Sequence, residues 1–293
     1  MLRMRLIVGT LLILGLIAIA WLDASSPIIR LGQGRIGPGL VLIAVCIFAF
    51  APILAWEFNR LTSAKSSRSG FWLNYLAISL GIASVGILPD LLPEHLVMPA
   101  VLTCPFLILF VCAIIHARTR QIDGFVQSVG AVFLGYAAIG VPLGFWILLR
   151  HDRDAWTLAG AILCVKSADI GAYFTGISIG RHRLIPWLSP GKTWEGLAGG
   201  IIFSGCIGAA LATLSASALA MNALVDPIAI AYGALVAVVL GVTGTLGDLL
   251  ESLLKRGAGV KDSGSILPGM GGLYDVFDSL LLAGPVAWWM LAN

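Results

Sequence analysis

Charged side chains are scarce in this sequence. Asp, Glu, Lys and Arg make up 11% of the 293 residues, whereas a soluble domain usually carries about 25%. Hydrophobic residues make up 59%, and the mean hydropathy is +0.98. This shortage of charge excludes a soluble globular protein and argues against a nucleic-acid partner. It predicts an all-α, polytopic integral membrane protein.

The sequence also lacks the patterns that cross-link or divide a chain. None of the five cysteines stands in a CxxC motif, which argues against a disulfide scaffold or a zinc site. Internal repeats, low-complexity tracts and long linkers are absent, so residues 1–293 are predicted to form a single transmembrane domain. Within it, we expect residues 1–150 to be structural and residues 151–293 to carry the catalytic site.

Nine apolar stretches are long enough to cross a membrane, because about 20 helical residues span a hydrocarbon core about 30 Å thick. They cover residues 6–22, 38–58, 71–88, 96–116, 125–149, 155–179, 195–220, 227–250 and 273–291. The first could be a secretory signal, but no clear cleavage pattern follows it, so we expect it to remain as a helix. The sequence therefore predicts a bundle of about nine transmembrane helices.

Lysine and arginine are distributed unevenly among the connecting segments. If the N-terminus is inside, the inner segments hold thirteen bases and the outer loops hold four. The inner bases are Arg3, Arg5, Arg60, Lys65, Arg68, Arg118, Arg120, Arg181, Arg183, Lys192, Lys255, Arg256 and Lys261, and the outer ones are Arg30, Arg35, Arg150 and Arg153. Because Lys and Arg collect on the cytoplasmic side, we expect a multi-pass protein of the cell (inner) membrane. Its N-terminus and the segments 180–194 and 251–272 would be cytoplasmic, and its C-terminus outside.

Acids and bases concentrate between residues 247 and 278, where they form two stripes at helical spacing. The first stripe comprises Asp248, Glu251, Ser252 and Lys255, and the second comprises Asp275 and Asp278. An ionisable side chain at bilayer depth costs on the order of 3 kcal/mol unless it is paired or hydrated. Mg²⁺ prefers hard oxygen ligands, so carboxylates on two helix ends predict a divalent-cation site. A solvated, salt-bridged loop is the alternative.

A second polar block covers residues 166–196. Lys166, Asp169 and Tyr173 share one face of a helix, which fits either a functional site or a buried structural ion pair. Residues 189–193 read Ser-Pro-Gly-Lys-Thr just before an expected helix N-terminus, where the helix dipole favours anions. The segment lacks the first glycine and the spacing of a Walker A loop. It is therefore a candidate phosphate-binding loop of another kind.

The segment from Ser252 to Asp278 carries a family resemblance. Its parts are Ser252-Leu-Leu-Lys255-Arg256, Lys261-Asp262 and Pro268-Gly269-Met270-Gly271-Gly272-Leu-Tyr-Asp275-Val-Phe-Asp278. Together they resemble the signature of phosphatidate cytidylyltransferases, the CDP-diacylglycerol synthases. The run Ser189-Pro190-Gly191-Lys192-Thr193-Trp194-Glu195-Gly196, with Asp169, Ala172 and Tyr173 upstream, is similar to the same family. The resemblance covers roughly the C-terminal 45% of the chain, and the first five helices match only in hydrophobicity.

The resemblance implies an enzyme that transfers CMP from CTP to phosphatidic acid, with Mg²⁺ as cofactor and membrane lipids around it. A second cation and a homodimer are left open. The implied catalytic residues are Asp248, Lys255, Arg256, Lys261, Asp275 and Asp278, and the implied metal ligands are Asp248, Asp275, Asp278 and, in second rank, Asp262. The implied substrate-binding residues are Asp169, Tyr173, Arg181, Ser189, Lys192, Thr193, Glu195, Ser252, Gly271 and Gly272.

Two positions depart from the family pattern, which has His where Met270 stands and Arg where Val276 stands. The implied reaction does not require a histidine base, because the lipid phosphate is already anionic and nucleotidyl transfer rests on positioning and charge neutralisation. We therefore expect an active enzyme. An inactive paralogue and a CTP-dependent polyprenol or phytol kinase are alternative interpretations. A membrane transporter is an alternative of another class, although the charges gather at one membrane face and not at the midplane.

Overall fold

The structure is a computed structural model that describes residues 2–26, 29–31, 34–36, 38–63, 70–120, 123–219 and 226–292. Its helices are α1 (Leu2–Ala24), α2 (Leu40–Val45), α3 (Ala51–Ser63), α4 (Phe71–Gly86), α5 (Leu88–Leu91), α6 (Glu94–Thr119), α7 (Phe125–Gly135), α8 (Val141–Asp152), α9 (Ala155–Ile179), α10 (Trp194–Leu219), α11 (Pro227–Gly257) and α12 (Tyr274–Leu291). Two π-helical segments, Cys46–Phe50 and Tyr136–Gly140, join α2 to α3 and α7 to α8. Two antiparallel hairpins complete the fold: β1 (Ile29–Leu31) with β2 (Gly34–Ile36), and β3 (Arg183–Ile185) with β4 (Ser189–Thr193).

Seven helical segments in the described part of the chain are long and apolar enough to cross a membrane. They are Ile7–Ala24, Leu40–Thr62, Glu94–Arg118, Phe125–Asp152, Ala155–Ile179, Trp194–Ser215 and Pro227–Gly257. The chain is therefore an all-α, polytopic membrane protein, as its composition predicts. Helices α4, with 16 residues, and α12 also coincide with predicted stretches but are not among the seven, so the count of nine spans stays a prediction. The inner bases Lys65 and Arg68 and the terminal Asn293 lie outside the described residues.

The chain folds into two compact units. The first contains Met1–Ala155 and Leu254–Phe277, and the second contains Trp156–Leu253 and Asp278–Asn293. The chain passes from one unit to the other three times: at the start of α9, within α11 and within α12. The predicted assignment of residues 1–150 to structure and residues 151–293 to catalysis stays a prediction.

Helix α4 is central in the first unit, where it packs against α3, α6, α7 and α8. Small residues allow this close approach, as is common between membrane helices. A Cβ atom at Gly81 would lie 2.7 Å from the carbonyl oxygen of Tyr136, and one at Gly140 would lie 2.4 Å from that of Ile78. Larger side chains at these glycines would push the helices apart.

A buried ion pair joins three helices of the first unit. Arg150 Nε in the last turn of α8 lies 2.6 Å from Asp23 Oδ2 at the end of α1. Asp23 Oδ1 accepts the backbone N–H groups of Val41 and Leu42, each at 3.1 Å, in the first turn of α2. The sequence-based topology counts Arg150 as a base of an outer loop. In the structure it is helical and buried, which its carboxylate partner makes tolerable.

The second unit contains the hairpin between α9 and α10. In this hairpin Arg183 pairs with Thr193, and Ile185 pairs with Ser189. The sequence predicts a loop over residues 189–193, just before a helix N-terminus. The segment forms β4 instead, and pairing with β3 provides hydrogen-bond partners for its backbone.

Candidate functional site

Three carboxylates gather in the second unit. Asp248 and Glu251 lie one turn apart on α11, and Asp278 lies on α12; one oxygen from each lies within 4.8 Å of the others. Gly247 makes this approach possible, because a Cβ atom there would lie 2.5 Å from the carbonyl oxygen of Asp278. We call Asp248, Glu251 and Asp278 the carboxylate triad.

Lys192 connects the β3–β4 hairpin to the triad. Its Nζ lies 2.8 Å from Asp248 Oδ2 and donates a hydrogen bond to the carbonyl oxygen of Thr245 at 3.3 Å. Asp248 also accepts a hydrogen bond from Ser252 Oγ at 3.4 Å. Lys192 therefore reaches the carboxylates from β4, just before α10 begins.

Lys166 approaches the triad from α9. Its Nζ donates to Ser279 Oγ at 2.6 Å and lies 3.4 Å from Asp169 Oδ2 and 3.9 Å from Asp278 Oδ1. Ser279 Oγ in turn lies 3.0 Å from Asp169 Oδ2. The predicted pair of Lys166 and Asp169 is thus part of a network that includes α12.

Two predicted substrate-binding residues, Thr193 and Glu195, contact the backbone around the hairpin. Glu195 accepts the N–H groups of Arg181 and His182 at 3.1 and 3.2 Å and lies 2.5 Å from His182 Nδ1. Thr193 Oγ1 accepts the N–H of Gly196 at 3.0 Å, as an N-cap residue does. Both side chains therefore fix the hairpin against the first turn of α10.

Asp275 has its own set of partners in the first unit. Its Oδ1 accepts a hydrogen bond from Lys255 Nζ at 2.6 Å. Its Oδ2 accepts hydrogen bonds from Ser263 N at 3.0 Å, Ser263 Oγ at 2.8 Å and Gly272 N at 2.6 Å. Asp275 therefore holds both ends of the segment between α11 and α12.

Glu57 on α3 binds the end of the same segment, where α12 begins. Its side chain is fully buried, at 0% exposure, and its oxygens accept the N–H groups of Leu273 at 2.9 Å and Tyr274 at 2.7 Å. Ser263 Oγ adds a third hydrogen bond at 3.2 Å. A carboxylate that binds N–H groups at a helix N-terminus is favoured by the helix dipole.

Two predicted glycines lie where the backbone passes these carboxylates. Gly271 has φ +97, a conformation that other residues rarely adopt, and a Cβ atom there would lie 2.5 Å from Asp275 Oδ2. A Cβ atom at Gly272 would lie 2.2 Å from Ser263 Oγ. Glycine is therefore required here by space and by backbone conformation.

The predicted site residues fall into three groups. Those in the network of the second unit are Asp169, Lys192, Asp248, Ser252 and Asp278, and those in the network of the first unit are Lys255, Gly271, Gly272 and Asp275. The others lie elsewhere: Thr193 and Glu195 support the hairpin, Ser189 is in β4, Arg256 donates to the Val260 carbonyl, and Tyr173, Arg181, Lys261 and Asp262 are exposed. The catalytic and binding roles of all of them stay predictions.

The sequence-based residue set omits Glu57, Glu251, Ser263 and Ser279. Glu251 belongs to the predicted stripe on α11, so its helical spacing from Asp248 indicated that it could join the site. Glu57 is the only acid within the predicted span 38–58, and an ionisable side chain at that depth requires partners in the protein. The two serines gave no comparable signal.

The triad suits Mg²⁺ by the chemistry of its donors. All three ligands are hard carboxylate oxygens, and Mg²⁺ binds such ligands at about 2.1 Å, so two on opposite sides of the ion are about 4.2 Å apart. Oxygens within 4.8 Å of one another need only small side-chain adjustments to reach this geometry. Asp248, Glu251 and Asp278 could therefore hold one divalent cation.

The chain is similar to several proteins named phosphatidate cytidylyltransferase. A protein of Bacillus subtilis (strain 168) named phosphatidate cytidylyltransferase is 42% identical over 168 residues, which are 57% of this chain and 59% of that protein. A protein of that name from Mycobacterium leprae (strain TN) is 41% identical over 53% of this chain and 48% of its own length. The chain thus spans about half the length of these two relatives. Another protein of that name, from Staphylococcus aureus (strain COL), is 32% identical over 85% of this chain and 91% of its own length.

A family-wide comparison extends the similarity beyond the C-terminal motifs. The family model described as "Cytidylyltransferase family" matches residues 4–293. This range includes the first five predicted spans, within residues 6–149, as well as the carboxylate triad. The chain therefore belongs to the cytidylyltransferase family.

Proposed function

We propose that this protein is a phosphatidate cytidylyltransferase, which forms CDP-diacylglycerol from CTP and phosphatidic acid. The observation that carries the proposal is the carboxylate triad with Lys192 2.8 Å from Asp248, in a chain of the cytidylyltransferase family. Carboxylates that can hold a divalent cation beside a lysine that can bind phosphate suit nucleotidyl transfer. The names of the relatives agree with this activity.

In the proposed reaction, a phosphate oxygen of phosphatidic acid attacks the α-phosphorus of CTP. A new P–O bond joins CMP to the lipid phosphate, and the bond between the α-phosphorus and the bridging oxygen breaks, so that pyrophosphate leaves with that oxygen. The attacking phosphate is already anionic, so no residue needs to remove a proton from it. Substrate positioning and neutralisation of the phosphate charges are then the main catalytic tasks.

Basic residues would perform much of this neutralisation. Lys192 and Lys255 are held by Asp248 and Asp275 at 2.8 and 2.6 Å, so their ammonium groups are oriented before substrate binds. Arg256 and Lys261 are exposed, and the family resemblance implies that they bind phosphate oxygens. Asp248, Glu251 and Asp278 would hold Mg²⁺, which when bound neutralises phosphate charge and stabilises the leaving pyrophosphate.

The proposal also includes the location of the protein. CTP is a charged, water-soluble nucleotide, so the residues that bind it must face the compartment that contains it. The excess of inner bases supports a cytoplasmic site in the inner membrane of the cell. The lipid substrate would enter from the surrounding bilayer.

An assay with two differently labelled nucleotides tests the function. Purified protein in mixed micelles receives phosphatidic acid, Mg²⁺ and CTP labelled at either the α- or the γ-phosphorus, and a parallel reaction contains a polyprenol. We expect the α-label in a lipid product, the γ-label in pyrophosphate, and no product with the Asp278→Asn variant. Transfer of the γ-label to the prenol would show a kinase instead, and no transfer to either acceptor would contradict both activities.

A further inference from the structure

A lysine occupies one side of the candidate metal site. Lys166 Nζ lies 2.6 Å from Ser279 Oγ, 3.4 Å from Asp169 Oδ2 and 3.9 Å from Asp278 Oδ1. Asp278 is also a member of the carboxylate triad. Lys166 therefore contacts one of the oxygens that the triad could offer to a cation.

The charges of this region indicate how many cations it can hold. Asp169, Asp248, Glu251 and Asp278 supply four carboxylates, whereas Lys166 and Lys192 supply two ammonium groups. One divalent cation would balance the remaining negative charge. A second divalent cation would add positive charge next to an ammonium group, which Coulomb repulsion opposes.

We propose that the ammonium group of Lys166 takes the place of a second metal cation in this site. Its ammonium group fills the space among Asp169, Asp278 and Ser279, so that the unit binds a single divalent cation, on the carboxylate triad. Lys166 is thus a positioning residue that orients Asp278 and Ser279 and is not itself a metal ligand. The inference rests on the proposed function, because it presupposes that the triad binds a cation.

The surroundings of Lys166 distinguish this role from that of an ordinary structural ion pair. A pair with Asp169 alone would be satisfied within α9, since the two residues are three positions apart. Lys166 also donates a hydrogen bond of 2.6 Å to Ser279 on α12. Ser279 Oγ also contacts Asp169 Oδ2 at 3.0 Å, so two carboxylates and a hydroxyl surround one ammonium group, as they could surround a small cation.

Counting bound Mn²⁺ tests the proposal without measuring activity. Purified protein is titrated with Mn²⁺ in detergent, and free Mn²⁺ is followed by electron paramagnetic resonance. We expect one tightly bound Mn²⁺ per wild-type chain and two per Lys166→Met chain, since Asp169, Asp278 and Ser279 would then be free to bind a second ion. The first ion should also bind about tenfold more tightly in this variant, because a nearby positive charge is removed.

Matched variants identify the residues that bind the second Mn²⁺. Lys166→Arg keeps the charge and should bind one Mn²⁺, and the double variant Lys166→Met/Asp169→Asn should return to one. Arg118→Met, which removes a positive charge at the end of α6, should behave like wild type. Asp169→Asn in the wild-type background keeps Lys166 and should still bind one Mn²⁺, which allows a test even if Lys166→Met fails to fold.

The outcomes separate the inference from the proposed function. One Mn²⁺ with unchanged affinity in a folded Lys166→Met variant, or two in wild type, would overturn the role of Lys166 and leave the proposed enzyme intact. Loss of Mn²⁺ binding in Asp169→Asn would place the ion on Asp169 and would also overturn that role. A wild-type protein that binds no Mn²⁺ but transfers CMP would refute the metal site and this inference together.

Discussion

Glu57 and Ser263 are 206 positions apart in the chain, yet Glu57 Oε2 accepts a hydrogen bond from Ser263 Oγ at 3.2 Å. The same hydroxyl lies 2.8 Å from Asp275 Oδ2. A serine has a single hydroxyl proton, so Ser263 shares it between two carboxylates. One residue from the N-terminal helices thus helps to fix the segment that contains Lys261 and Asp262.

Replacing Glu57 should destabilise this segment. In Glu57→Ala, the buried N–H groups of Leu273 and Tyr274 lose their acceptor, which costs about 1 to 3 kcal/mol for each group left unsatisfied. We expect a lower thermal unfolding temperature in detergent and a turnover at least about tenfold lower. Glu94→Ala, at an exposed acid in the first turn of α6, is the control. Wild-type values for Glu57→Ala in both measurements would refute this role.

Glu251 and Asp262 are competing candidates for a third metal ligand. The triad includes the buried Glu251, whereas Asp262 is exposed. We expect Glu251→Gln to raise the Mg²⁺ concentration needed for half-maximal activity at least about tenfold, because an anionic ligand is lost. Asp262→Asn should raise it less. The reverse order in the same Mg²⁺ titration would favour the ligand set implied by the sequence.

Lys192 should matter for nucleotide binding. Lys192→Ala removes an ammonium group 2.8 Å from Asp248, so we expect the KM for CTP to rise about tenfold, as for the loss of one charge-assisted contact. Arg183→Ala, at an exposed base of the same hairpin, is the matched control. Initial rates over a range of CTP concentrations separate KM from kcat. No change in either value for Lys192→Ala would remove the hairpin from the site.

Cysteine labelling tests the orientation. In a variant without the five native cysteines, single cysteines at Gly191 and Ser265, both exposed positions, should react with an impermeant thiol reagent only in inside-out vesicles. A cysteine at Ala292 should react in intact cells, since the expected C-terminus lies outside. Labelling of the Ser265→Cys variant in intact cells would contradict the cytoplasmic site, because cytosolic CTP could not reach it.

The sequence predicts the transmembrane helices well because long apolar runs report directly on the membrane environment. The stretch predicted at residues 155–179, for example, coincides with α9 (Ala155–Ile179) despite containing Lys166 and Asp169. The same argument cannot decide whether α4, with 16 residues, crosses the membrane. Its length is marginal, and neighbouring helices determine how it is accommodated.

Spacing along one helix predicts part of the candidate site. It brings Asp248 and Glu251 together because both lie on α11, and it groups Asp275 with Asp278 on α12. It does not reveal that Asp275 binds Lys255 and Ser263, because partners from distant parts of the chain depend on tertiary packing. Glu57 could not be placed for the same reason.

The length of α11 has a consequence for how the proposed lipid substrate arrives. Its 31 residues extend about 46 Å at about 1.5 Å per residue, whereas the hydrocarbon core is about 30 Å thick. If the core begins near Pro227, the last ten or so residues, from Asp248 onward, emerge at headgroup level. Phosphatidic acid can then react while its acyl chains remain in the bilayer. Its rate of conversion should follow its mole fraction in the membrane plane and not its molarity in the bulk suspension.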